Sequence, residues 1–192
     1  MFSYLVSADI ISSMYNTGEN FTYGDFDTNY MINDQPAVIH QEGYPVGSAW
    51  PANSVESMWI STTANSSTVW PGIYNFVYSY TLDISLDPDT AIISGFIAAD
   101  NAYAIIHNGN QIYDYTVNNY NFDTFTIDDY FQTGNNEIIF QVHNLGNSSN
   151  PMALRVEYTN ANASLIPEPT TLSGIILGSI GIVSLRRRFY TK

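Results

Sequence analysis

The sequence predicts an all-β fold, an antiparallel jelly-roll sandwich, followed by one C-terminal transmembrane helix. Three observations carry this. The body shows many short segments of period-two alternation and no long helical period. Turn residues punctuate those segments at short intervals. After residue 169 the chain changes to a charge-free apolar stretch closed by three arginines.

The clearest strand runs from Tyr74 to Ile84. Tyr74, Phe76, Tyr78, Tyr80, Leu82 and Ile84 share one face; Asn75, Val77, Ser79, Thr81 and Asp83 share the other. Ala91–Ala99 is apolar on both faces and reads as a central strand. Asn108-Gly109-Asn110 joins Ala102–His107 to Gln111–Tyr115 as a hairpin, since Asn and Gly accept positive φ. Phe122–Ile127 is a further strand. Gly134-Asn135-Asn136 turns into Glu137–His143, with Ile138, Phe140 and Val142 on one side. Leu154, Val156 and Tyr158 close the set. Toward the N-terminus, Asp9–Tyr15, Ala37–His40 and Ser57–Ser61 are strands; Asn16–Asn33 reads as turn-rich connection, and Glu42–Ser67 as a long one. The expected organisation is a β-domain over 9–159, a small polar linker over 160–166 and a tail over 167–192. Residues 1–8 are either the remnant of a signal peptide, ending Val6-Ser7-Ala8, or the start of the first strand.

Composition narrows the function classes. The 192 residues carry a formal net charge of −13 with only five Lys and Arg, and all of those but Arg155 fall in the last seven positions. An acidic body of this kind argues against binding nucleic acid. There is no cysteine, which excludes disulfides, thiol catalysis and thiolate metal sites. His40, His107 and His143 are scattered, although His107 and His143 could meet on adjacent strands. No serine lies in a Gly-x-Ser-x-Gly elbow, and the carboxylates form no matched acid/base pair. The expectation is a non-enzyme without a cofactor. Asp87, Asp89, Asp123, Asp128 and Asp129 supply hard oxygens for at most a structural calcium ion, without EF-hand spacing. Aromatic platforms beside amides and carboxylates are what sugars need, and Trp50, Trp59, Trp70, Asp100, Asn101, Tyr103 and Tyr113 are the candidates. The plainer reading makes Trp59 core and Asp100-Asn101 a turn. Asn20, Asn65, Asn147 and Asn162 head glycosylation-type sequons that arise readily by chance in a chain this rich in Asn and Ser.

The tail has its own mechanics. As a helix, Thr170–Leu185 rises about 24 Å, and snorkelling arginines make up the remaining membrane thickness. Arg186, Arg187 and Arg188 place its end in the cytoplasm. Pro167-Glu168-Pro169 keeps the backbone before it extended. These three parts in this order resemble the PEP-CTERM protein-sorting signal. The resemblance implies an exported surface or extracellular-matrix protein of a Gram-negative, exopolysaccharide-producing bacterium. It further implies that an exosortase, a membrane-embedded cysteine transpeptidase-like enzyme, cuts near Pro-Glu-Pro and removes the membrane span.

The body, too, resembles a known family. Tyr15-Asn16-Thr17-Gly18, Ala52-Asn53-Ser54 with Trp59-Ile60, Ala98-Ala99-Asp100-Asn101, Asn108-Gly109, Phe122–Ile127 with Phe131 and Gly134-Asn135-Asn136, and Leu154-Arg155-Val156-Glu157 occur in an order similar to galactose-binding-like jelly-roll domains of bacterial surface proteins. Phe96 and His107 depart from that pattern. The expected role is structural or adhesive, the alternative a carbohydrate-binding module held near exopolysaccharide.

Overall fold

The computed structural model describes residues 8–12, 14–65 and 68–167, and Ser7–Leu165 forms one compact unit. The described residues form eleven strands: β1 (Ala8–Ile10), β2 (Phe26–Ile32), β3 (Gln35–Ile39), β4 (Ile60–Ser61), β5 (Gly72–Leu82), β6 (Ile92–Asp100), β7 (Ala102–His107), β8 (Asn110–Val117), β9 (Asp123–Ile127), β10 (Gly134–Asn144) and β11 (Ala153–Ser164). They pair antiparallel in the order β8-β7-β10-β5-β2-β3-β4-β11-β6-β9, with β1 added to β11. The path folds back on itself, so that β5 and β10 face β6, β9 and β11 across an apolar core. Phe140 meets Phe125 edge-on at 5.9 Å between ring centroids, and Tyr78 meets Tyr158 at 5.7 Å. The result is a nearly closed antiparallel sandwich.

Period two does the sorting. On β5, Phe76, Tyr78, Tyr80 and Leu82 are buried while Ile73, Asn75, Ser79 and Thr81 are exposed. Ile84, expected on the same inner face, lies beyond the strand end and is exposed. On β10, Ile138, Phe140, Val142 and Asn144 point in. The apolar strand β6 is central as expected, flanked by β11 and β9. Its Gly95 is required by close approach: a Cβ there would lie 2.2 Å from the Glu157 carbonyl oxygen. The Asn108-Gly109 hairpin forms with φ of 47° and 78°.

The two ends of the sheet path, β8 and β9, are tied by side chains. Tyr113 Oη accepts from the Thr126 amide at 2.9 Å, and Asn118 Nδ2 donates to Asp123 Oδ2 at 2.8 Å. Tyr113 thereby covers an edge amide that a neighbouring strand would otherwise satisfy.

Four expectations change. Phe26–Ile32, inside the expected turn-rich connection 16–33, is a strand between β3 and β5. Its alternation is broken by a register shift between Asp27 and Met31 and by Asp27 itself, which is buried and accepts from the Gly18 amide at 2.8 Å. The expected first strand, Asp9–Tyr15, is the short Ala8–Ile10. The expected linker over 160–166 is largely strand: Asn160, Ala161 and Asn162 pair with Ser94, Ile93 and Ile92, and Leu165 bridges Leu86. Composition alone reads these Asn, Ala and Ser residues as a tether; pairing with β6 and β1 makes them strand. The β-domain therefore runs past 159. Finally, His107 and His143 are at opposite ends of the paired strands β7 and β10, the first buried and the second on the outer face.

Glu168, Pro169, the expected span 170–185 and Arg186, Arg187 and Arg188 lie outside the described residues, as do residues 1–7. Pro167 is described and exposed. No helix among the described residues is long and apolar enough to cross a membrane.

Candidate binding face

Most of the residues singled out for sugar binding are interior. Trp50 and Trp59 are buried, their rings 4.7 Å apart, in a small second core with Val46, Ala98 and Ala153. Trp59 Nε1 donates to the Pro51 carbonyl at 2.9 Å. Trp50 Nε1 donates to Asp100 Oδ2 at 3.0 Å, and the edge-on His40 ring lies 5.6 Å from Trp50. Asp100 is only 6% exposed, and its Oδ1 has no hydrogen-bond partner among the described residues. Burial pushes its carboxyl up to about 6, against the opposing pull of the Trp50 bond. Asn101 fastens loops: its Oδ1 accepts from the Leu145 amide and its carbonyl from the Asn118 and Asn119 amides. Tyr103 is buried with its hydroxyl toward Asp123. Trp50, Asp100 and Tyr103 are thus corrected from solvent-facing platform to interior scaffold; Trp59 is core, whereas Asp100 ends β6 and the Asp100 and Asn101 side chains bond distant partners instead of a local turn. Trp70 alone of the tryptophans is open, 69% exposed.

Arg155 explains this interior. It is buried on β11, with Nε donating to Ser57 Oγ, Nη1 to the Ala52 carbonyl at 2.6 Å and Nη2 to Ser54 Oγ and Glu157 Oε1 at 3.0 Å. Its guanidinium also stands 5.0 Å from the Phe122 centroid. It pins the 52–57 segment to the sheet and is spent on structure.

The outer face of β8, β7, β10 and β5 is different. Register aligns Ala102 with Val117 and His143, and His143 with Ile73; the next row joins Ala104 to Gln141 and Gln141 to Asn75; the next joins Ile106, Ile139, Val77 and Met31. Tyr115 of β8, 45% exposed, meets the His143 ring edge-on at 4.9 Å. Gln141 Nε2 donates to Asn75 Oδ1 at 3.0 Å, and His143 Nε2 is 3.0 Å from Gln141 Oε1. A carboxamide oxygen only accepts, so the proton is on His143 Nε2. Partial burial lowers the His143 pKa, which keeps the ring neutral at pH 7. The three side chains form a relay running one way. His143 Nδ1 is left as an acceptor at one end and Asn75 Nδ2 as a donor at the other, neither hydrogen-bonded among the described residues. Beside Asn75 a cleft of about 460 Å³ opens, lined by Met31, Asn33, Asp34, Val77 and Glu137.

Chemically, this face offers an exposed phenol ring, a pre-set line of donors and acceptors, and an apolar row of Ile106, Ile139 and Val77 where a purely solvated face would carry charge. Sequence reading had Asn75 and Val77 on an outer face but missed the site, because it exists only across four strands and needs their register. The available signal was the run Ile139, Gln141, His143, apolar and amide on the side opposite the core.

A second polar cleft, near Asn108, Gln132, Asn135 and Glu137, is structurally committed. Asn108 Nδ2 donates to the Tyr130 carbonyl and to Asn136 Oδ1, and its Oδ1 accepts from the Glu137 amide. Beneath it His107 Nε2 accepts from Tyr80 Oη at 2.8 Å while Nδ1 donates to the Asp129 carbonyl. Among the described residues no three His, Asp or Glu side chains converge to hold a metal. Of the calcium candidates, Asp87 accepts from the Asp89 amide as a cap for the short 3-10 helix Pro88–Thr90, and Asp123 binds Asn118.

No family model matches the sequence, and no curated protein does. Among solved structures the chain is similar to a family 35 carbohydrate binding module from Clostridium thermocellum: 12% identity, TM-score 0.39, covering 81% of this chain and 99% of that one. It is also similar to a family 35 carbohydrate binding module from an environmental isolate: 17% identity, TM-score 0.35, covering 80% and 100%. Overlaps this loose transfer no site.

Proposed function

We propose that this chain is an exported, non-catalytic glycan-binding protein whose jelly-roll-like body holds carbohydrate on the outer face of β8, β7, β10 and β5. The single observation behind this reading is the ordered His143–Gln141–Asn75 relay beside the exposed Tyr115 ring. Sugars present hydroxyls that donate and accept, and C–H faces that pack on aromatic rings, so a mixed face of this kind suits them. A glycan array with the full-length chain tests it. Binding that Tyr115→Ala and Gln141→Ala each weaken at least tenfold supports the face, and an array without any binding refutes it.

A second reading concerns delivery and is supported by the sequence of the tail. The order Pro167-Glu168-Pro169, apolar stretch, Arg186-Arg187-Arg188 fits a PEP-CTERM signal cut by an exosortase. The expected outcome is a surface form whose intact mass lacks the arginines. A mature protein that keeps them contradicts cleavage. A structural or adhesive matrix role is then the consequence of holding glycan at the surface.

A further inference from the structure

Every group on the binding face is neutral or acidic. Among the described residues Arg155 is the only Lys or Arg, and it is buried and fully engaged on another part of the fold. The cleft at the Asn75 end is bordered by Asp34 and Glu137, and exposed Asp114 sits on β8 next to Tyr115. The chain as a whole carries −13. A ligand with its own negative charges would approach this face against like charge, with no cation to receive it.

The face also has a length and a direction. From β8 to β5 the line from Tyr115 through the Ala104–Gln141–Asn75 row crosses three strand spacings, about 14 Å at ~4.8 Å each. It is open along that line and encloses no single ring. Ala104, small and in the middle of the row, leaves a shallow floor between Tyr115 and the amides. The relay presents an acceptor near Tyr115 and a donor near the cleft, and both can be met by hydroxyls of one chain lying along it.

We propose that this face takes an uncharged polysaccharide, laid across the strands from Tyr115 to Asn75, and rejects uronate-bearing chains. The proposal rests on the carbohydrate reading above and specifies its ligand class.

The experiment titrates the full-length chain with hydroxyethyl cellulose as the neutral probe and polygalacturonate as the charged one, at low and high salt, with and without calcium. The expected result is at least tenfold weaker binding of polygalacturonate at low salt. That gap should narrow as salt rises and the repulsion is screened. It should also narrow in a Glu137→Gln, Asp114→Asn, Asp34→Asn variant, while the salt titration of the unaltered chain answers the question even if that variant misfolds. Polygalacturonate binding as tightly as the neutral chain at low salt overturns the proposal but leaves the carbohydrate reading standing, as does uronate binding that becomes the stronger once calcium is added. Failure of both polymers overturns both. Sedimentation showing a dimer that Tyr115→Ala dissolves also overturns both, because the face would then be covered by a second copy of this chain.

Discussion

Two regions of this molecule gather aromatic rings beside Asp, Asn and Gln, and they have opposite fates. In the Trp50–Trp59 cluster the rings are inside, their indole N–H groups bonded to Asp100 and Pro51, and the nearby Arg155 is saturated. On the outer face of β8, β7, β10 and β5 the ring is half open and the polar atoms at the relay ends are unclaimed. The same residue types build a loop scaffold in one place and an open polar face in the other. What separates them is whether the backbone has already used their hydrogen-bonding capacity.

Removing scaffold should therefore cost stability, and removing face should cost binding. The largest expected effect is Trp59→Ala, which empties a fully buried site and should lower unfolding free energy by about 4 kcal/mol in urea titration. A loss near zero would dissolve the distinction. Next, Arg155→Leu removes the clamp on 52–57 and leaves Glu157 without its ion pair, for an expected loss of about 3 kcal/mol; calorimetric unfolding at neutral pH would read it.

Asp100 sharpens the comparison through pH. Its folded pKa is raised from 3.8 to about 6, so the folded state holds the proton more tightly than the unfolded chain. Stability from this group therefore falls as pH rises from about 4 to about 6 and is flat above, a change of up to about 3 kcal/mol. Asp100→Asn should lack that segment: its stability relative to the parent should be greatest at pH 7 and decline toward pH 4. Parallel curves for the two proteins would contradict a buried, poorly solvated carboxylate. The smallest stability effect is expected at Tyr115→Ala and Gln141→Ala, within ~0.5 kcal/mol, since both side chains are on the outer face.

Much of the fold was legible because its central strands are regular. β5 and β10 alternate almost without exception, and the Asn108-Gly109 hairpin announces itself. β2 was hidden by an inward Asp27, whose partner, the Gly18 amide, is on a distant turn, and by a bulge that resets the period. The end of β11 was hidden because Asn, Ala and Ser have no strand signature of their own; only pairing with β6 and β1 makes them strand. The site was less legible than the fold. Trp50, Asp100 and Tyr103 carry the right chemistry in one dimension, yet the 41–59 connection closes over Trp50 and Asp100, and Tyr103 turns into the main core. Asn75, Gln141, His143 and Tyr115 come from three separate strands, and no linear pattern brings them together.

The most direct test compares two exposed tyrosines by calorimetric titration of the full-length chain with hydroxyethyl cellulose. Tyr115 stands on the face, whereas Tyr23 lies in a loop with its hydroxyl on Glu42. The account predicts that Tyr115→Ala weakens binding at least tenfold and Tyr23→Ala leaves it unchanged. Binding that survives Tyr115→Ala, or depends on Tyr23 instead, would place the ligand elsewhere.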